Sequence, residues 1–264
     1  MKISLLQMQI QLGDFEANRQ NLIRLFHDAM QSHPDIILLP EMWNGGFYPK
    51  PVLGAADPDG TETRKLLGRL ARENRVNIVG GSIANRIGQH VYNTSYVFDR
   101  DGSLISTYHK IHLFSPGGED QDFTPGDTIT TFMLDGIKCA TVICYDLRFC
   151  ELIRLLALEN ISVLFLPAAW PVERLMHWQT LCRARAIENQ IFVLANNGCG
   201  MCGNFQLGGH SMIIDPWGEI LASAGEEQTI LHARLKIGVL RQIRENMNVF
   251  ADRKPKLYTL QSNC

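Results

Sequence analysis

The chain has 264 residues, a formal net charge of −2 and 45% hydrophobic residues. Balanced charge without a polybasic run argues against nucleic acid or a membrane surface as partner. No apolar run approaches the roughly 18 residues a membrane helix needs, and the opening MKISLLQMQIQLGDF lacks a secretory cleavage pattern.

Seven cysteines, odd in number and scattered, match no disulfide framework and point to a reducing, cytoplasmic setting. The length suits one large layered α/β domain over residues 1–264. In chain order, residues 3–9 (ISLLQMQ) read as a strand and 16–32 as a helix with Leu22, Ile23, Leu25 and Phe26 at helical spacing. DIILLPE reads as a fully apolar, central strand. A helix over 61–74 turns Leu66, Leu67 and Leu70 inward, VNIVGGSIA is a strand, and TSYVFDRDGSLISTYHK is a hairpin turned by Asp-Arg-Asp-Gly. The plan then repeats. CATVICYD is a strand, ELIRLLALEN a helix and SVLFLPAAW an apolar strand. Residues 175–189 are helical, IFVLANN is a strand, and HSMIIDPWGEILAS is a second hairpin. IILLPE matches LFLPAA, and VFDRDGSLIS matches IIDPWGEILA. Two similar halves, each supplying strands to its own sheet, predict a layered α/β sandwich.

Ligands of α/β sheets gather beyond the carboxyl ends of strands. Three such ends carry reactive residues: Glu41 after IILLP, Lys110 after SLISTYH, and Cys144 after CATVI. Alone, each has a plainer role: a capping carboxylate, a solvated cation, a small core thiol. Together they permit acyl transfer. A thiol needs a base to become a nucleophile, and attack on a carbonyl creates an oxyanion that needs preorganised donors.

LPEMW, YHKIHLF and VICYDLRF resemble, in order and spacing, the three motifs of the nitrilase superfamily, the carbon–nitrogen hydrolases. The resemblance extends through HWQTLCRARAIENQIFVLANN, GGHSMIIDPWGEILA and RENMNVFADRKPKLY, and so over nearly the whole chain. It implies a four-layer αββα sandwich that pairs into a homodimer. It implies Glu41 as general base, Lys110 as oxyanion stabiliser and Cys144 as nucleophile, with the Tyr145 N–H as second oxyanion donor and no metal or cofactor. Glu119, in GGEDQDFTPG, matches the family's supporting glutamate, which would orient Lys110 and the substrate. The chain departs from the family at Cys150, where proline is usual at the first turn of the next helix.

Trp43, Phe47, Phe114, Trp170 and His177 follow strand ends and are candidate pocket walls. LPEMWNGGFY and AAWPVERLMHW most resemble ω-amidase-type members, which act on the terminal amide of 2-oxo acids such as 2-oxoglutaramate. The carboxylate of such a substrate needs a cation, and Arg174 is the candidate. Other branches (aliphatic amidase, nitrilase, N-carbamoyl hydrolase) and a non-catalytic binding protein of the same fold remain alternatives. Asp146 and Arg148 are expected to form ion pairs that fix the turn after Cys144. Glu188 and Asn189 should belong to a buried polar network, and His210 to structural packing. CGMC at 199–202 is expected as a loop near the site mouth; a lone C-x-x-C cannot fill a tetrahedral zinc site.

Overall fold

Strand residues sort by parity onto two faces, as a period of two requires. A computed structural model describes residues 1–47 and 49–258. Ile3, Leu5, Ile36 and Leu38 pack against Val163, Phe165, Phe192 and Leu194, which fills the space between two sheets. The alternate residues Leu6, Met8, Ile37 and Leu39 meet Leu22, Leu25 and Phe26 of the helix Phe15–Met30 and Leu66, Leu67 and Leu70 of the helix Thr61–Asn74. On the far side, Leu164, Leu166, Val193 and Ala195 meet Leu152, Ile153 and Leu156 of the helix Cys150–Leu158 and Trp178 and Ala186 of the helix Leu175–Asn189. Burial of each such large side chain contributes about 1.5–3 kcal/mol. The layers are therefore helix, sheet, sheet, helix.

The first sheet orders its strands Thr229–Arg234, Lys2–Gln7, Ile36–Leu38, Asn77–Val79, His90–Phe98, Ile83–Ile87 and Asp57–Pro58, with Leu104–His109 paired to His90–Phe98. Ile36–Leu38 runs parallel to both neighbours, the central position its apolar sequence predicts. The second sheet orders Ile220–Ser223, Met212–Ile214, Phe192–Asn197, Val163–Ala168, Ile137–Thr141 and Phe132–Leu134. Each half supplies its own sheet, with one exception. Thr229–Arg234, from the second half, pairs antiparallel with Lys2–Gln7 in the first sheet. Asn196 joins the sheets by donating from Nδ2 to the Leu6 carbonyl at 3.0 Å and the Leu38 carbonyl at 2.9 Å.

The two hairpins are turned alike. Asp99 Oδ1 accepts from the N–H of Asp101 and Ser103, and Asp215 Oδ1 from the N–H of Trp217 and Glu219, all at 2.9 Å. An aspartate that bonds its own backbone two residues on is a turn former. Two expectations need correction. VNIVGGSIA is two strands, Asn77–Val79 and Ile83–Ile87. Gly81 breaks it at φ +60°, where an added Cβ would lie 2.0 Å from the Pro40 carbonyl. CGMC is a strand, paired with Phe205–Gly208 as a hairpin.

Candidate active site

The residues that meet at one end of the two sheets come from strand ends of both halves. Glu41 leaves the strand Ile36–Leu38, Lys110 follows Leu104–His109, and Cys144 follows Ile137–Thr141. Glu41 and Ala168 face each other across the sheets: the Glu41 N–H donates to the Ala168 carbonyl at 3.4 Å, and the Ala169 N–H donates to Glu41 Oε2 at 2.7 Å. The matched segments LPE and LPA thus meet in space.

Glu41, Lys110 and Glu119 are all completely buried. The Lys110 ammonium donates to Glu41 Oε1 at 2.9 Å and to Glu119 Oε2 at 2.7 Å. An ammonium has three donors, so one remains for a ligand. Burial disfavours the charged lysine, but Glu119 and then Glu41 outweigh burial, and the net shift is upward; Lys110 is a firm cation. Glu119 also accepts from the Phe114 N–H at 2.7 Å, which anchors the short helix Glu119–Asp122 to the lysine loop.

Cys144 opens a 3-10 turn, Cys144–Arg148, with a left-handed φ of 46°. Non-glycine residues adopt this conformation at a cost, and such positions concentrate at functional sites. Burial first, then the charge of Glu41, push the thiol well above its ordinary range, while Lys110 and the Ala169 N–H pull the other way. The resting sulfur is therefore a thiol, with the Glu41 carboxylate and the Ala169 N–H among the groups that act on it. The Tyr145 N–H lies in the first turn of this 3-10 segment, where main-chain donors have no partner within the helix.

Asp146 holds the turn without Arg148. Its carboxylate accepts from the Ile143 N–H, the Tyr108 hydroxyl, and the N–H and Nδ1 of His112, at 2.8–3.0 Å. Arg148 forms no ion pair with a carboxylate among the described residues. Its guanidinium lies 4.8 Å from the Trp170 ring centroid and 3.3 Å from His177 Nδ1. Asp146 thus fixes the turn as expected, with His112 as its pairing partner, and the expectation is corrected for Arg148 alone, which turns to the aromatic wall. Arg185 braces the same turn from below, donating to the carbonyls of Leu147 and Arg148 and pairing with Glu188 at 2.9 Å. Asn189 also donates to Glu188.

A cavity of about 240 Å³ opens onto Cys144 and Tyr145, walled by Phe47, Phe114, Trp170, Phe205 and Leu207, with Arg148, Glu173 and Arg174 among its lining. Of the wall candidates, Phe47, Phe114 and Trp170 line this cavity, and Arg174, the candidate partner for a substrate carboxylate, lines it too. Trp43 does not: it is buried in the first helix–sheet core, and its Nε1 donates to the Gly80 carbonyl. The residues after Glu41 turn back under the sheet, with Met42 at φ 51°, which carries the indole away from Cys144. His177 is exposed and stands behind Arg148 rather than in the wall. The Arg174 guanidinium lies 5.2 Å from the Phe114 ring. His210 Nδ1 donates to the Gly208 carbonyl at 2.8 Å, and the His210 carbonyl accepts from Trp178 Nε1, both packing roles. Cys150 begins the helix Cys150–Leu158 at the position where proline fits, and it is exposed.

Sequence reasoning missed Asn93, Ala169, Arg148 and the Phe205 hairpin. Asn93 stood beside Thr94 and Ser95 in HVYNTSYVF, so its polar side chain gave little signal. Ala169 acts through its main chain and left none beyond the internal match.

These strand-end residues, on this sandwich, define a carbon–nitrogen hydrolase, and the chain belongs to that family: the family model "Carbon-nitrogen hydrolase" matches residues 2–245. It is 40% identical over 256 residues to 2-oxoglutaramate amidase of Bacillus subtilis, covering 97% of this chain and 98% of that one. It is 33% identical to omega-amidase NIT2 of Mus musculus, over 99% and 98% of the two chains. Among solved structures, Nit3 of Saccharomyces cerevisiae, a member of branch 10 of the nitrilase superfamily, superposes with a TM-score of 0.87 at 30% identity, over 94% of each chain.

Proposed function

We propose that this chain is an ω-amidase that releases ammonia from the terminal amide of a 2-oxo acid such as 2-oxoglutaramate, through a thioester on Cys144. The observation that carries the reading is the fixed setting of Glu41. Its Oε2 accepts from the Ala169 N–H, its Oε1 accepts from Lys110, and its charge acts on the Cys144 thiol. Glu41 takes the thiol proton as sulfur bonds to the amide carbon. The third Lys110 proton and the Tyr145 N–H receive the oxyanion. As the C–N bond breaks, Glu41 returns its proton to the departing nitrogen, which leaves as ammonia. Water then attacks the thioester, giving one proton to Glu41. The C–S bond breaks, the carboxylic acid forms, and that proton returns to the sulfur. Glu119 orients Lys110 throughout.

The substrate assignment draws on the named relatives and on two guanidinium groups, Arg148 and Arg174, at the cavity. A 2-oxo acid amide offers a carboxylate for them and an uncharged amide for the far end. Phe47, Phe114 and Trp170 supply apolar walls. No cofactor takes part in this sequence of steps.

The remaining parts of the reading are a single catalytic domain over residues 1–264, a cytoplasmic setting and a homodimer. Exposed Leu155, Met176 and Ile187 on the outer helices are apolar residues that a second copy would cover. The free thiols of the described cysteines suit a reducing compartment; Cys264 lies outside the described residues.

Ammonia release should be compared on 2-oxoglutaramate, simple aliphatic amides, nitriles and carbamoyl amino acids, with mass spectrometry of the trapped enzyme. The expected result is preference for 2-oxoglutaramate and an acyl adduct on Cys144. Turnover of nitriles alone would sink the ω-amidase reading. Full activity of Cys144→Ala would remove the nucleophile, and inertness towards every substrate would favour a binding protein.

A further inference from the structure

Two carboxylates and one ammonium share a closed site, since Glu41, Glu119 and Lys110 are all completely buried. One cation cannot satisfy two buried anions, and a buried anion without enough donors is costly. The missing donor is Asn93. Its Nδ2 donates to Glu41 Oε1 at 2.8 Å and to Glu119 Oε1 at 2.9 Å. Both protons of one amide are therefore committed to carboxylates. The Asn93 main-chain carbonyl also accepts from the Lys110 main-chain N–H at 2.9 Å, so the same residue fixes the backbone that carries the lysine.

The placement is costly in every other respect. Asn93 is completely buried in the strand His90–Phe98, a position that asparagine disfavours. Its Oδ1 is buried without a hydrogen-bond partner. Local rules broken together at one residue mark a functional constraint.

We propose that Asn93 is a positioning residue whose single amide fixes Glu41 and Glu119 relative to each other, so that Glu41 is held in place as the base for Cys144. The inference rests on Glu41 being the base for Cys144, as set out above. The charged groups that meet at this amide are Glu41 and Glu119, and Lys110 bonds to both of those carboxylates. His109, on the adjoining strand, pairs with Thr94 and so belongs to the opposite face.

The test uses Asn93→Ala and Asn93→Asp in the full chain, with two readouts: kcat and KM for an amide substrate, and the pH dependence of Cys144 alkylation by iodoacetamide. Loss of hydrogen bonds to a charged acceptor should lower kcat by about 10- to 100-fold with KM little changed. The acid limb of alkylation should move to higher pH by about one unit in Asn93→Ala. Asn93→Asp can donate only when protonated, so its rate relative to wild type should recover as pH falls. Should Asn93→Ala not fold, the isosteric Asn93→Asp carries the test alone. Alkylation profiles that superpose on wild type, or an equal loss at every pH in Asn93→Asp, would overturn the inference while leaving the hydrolase reading intact. A wild type inert to both iodoacetamide and amides would sink both.

Discussion

The Tyr108 hydroxyl donates to Asp146 Oδ2 across 2.8 Å in the interior of the protein. This bond ties the strand that delivers Lys110 to the turn that presents Cys144. Tyr108→Phe should remove one donor and leave Asp146 three others, at a cost of about 1–2 kcal/mol. Asp146→Ala should strand the Tyr108 hydroxyl and the N–H groups of Ile143 and His112, and cost about 3 kcal/mol or more. Urea denaturation measures both. Equal destabilisation by the two variants would contradict the network.

Lys110→Met tests the buried ion triad. Removing the one cation that pairs with Glu41 and Glu119 among the described residues leaves two buried carboxylates together, and should destabilise by about 3–5 kcal/mol. The triple variant Glu41→Gln, Glu119→Gln, Lys110→Met removes the charges together and should regain most of that loss. Thermal or chemical denaturation of the two proteins decides the point; a Lys110→Met protein as stable as wild type refutes it.

Cys144 should behave as a thiol at rest. Burial and the Glu41 charge push it well above a free thiol, so it keeps its proton through about pH 8.5, where an exposed cysteine ionises. Fast alkylation near neutral pH then depends on Glu41 as acceptor. Glu41→Gln should slow alkylation at about pH 7 by 100-fold or more, with a rate that climbs unbroken beyond about pH 9. A plateau near neutrality in that variant would show a resting thiolate instead.

Arg148 and Arg174 should divide substrates by charge. Either change to alanine should raise KM for 2-oxoglutaramate by roughly tenfold, about 1.4 kcal/mol of carboxylate recognition. Turnover of a neutral amide of similar length should change less than about threefold. Steady-state kinetics on the two substrates settles it, and an equal loss on both would make the arginines wall residues only.

Most of the layering was legible because parity alone assigns Leu5 to one core and Leu6 to another. The three reactive residues were legible because each stands just past the end of a strand-like run: Glu41 and Cys144 after apolar ones, Lys110 after LISTYH. What stayed hidden lies in the backbone path. Gly81 bends a strand that reads as continuous, and the left-handed Met42 turns Trp43 into the core. Arg148 read as an ion-pair partner fixing the turn because the aromatic wall it joins, at Trp170, lies over 20 residues away in sequence. Asn93 meets Glu41 across 52 positions, a pairing that no local pattern announces.

The strand Thr229–Arg234 closes the edge of Lys2–Gln7 along six residue pairs. During synthesis the ribosome therefore releases the first strand long before its outer neighbour exists. Until residue 234 has emerged, Lys2–Gln7 carries an open row of main-chain donors and acceptors, the kind of edge that recruits foreign strands. The nascent first half, although it holds Glu41 and Lys110, is the stage at which a chaperone would have most to shield.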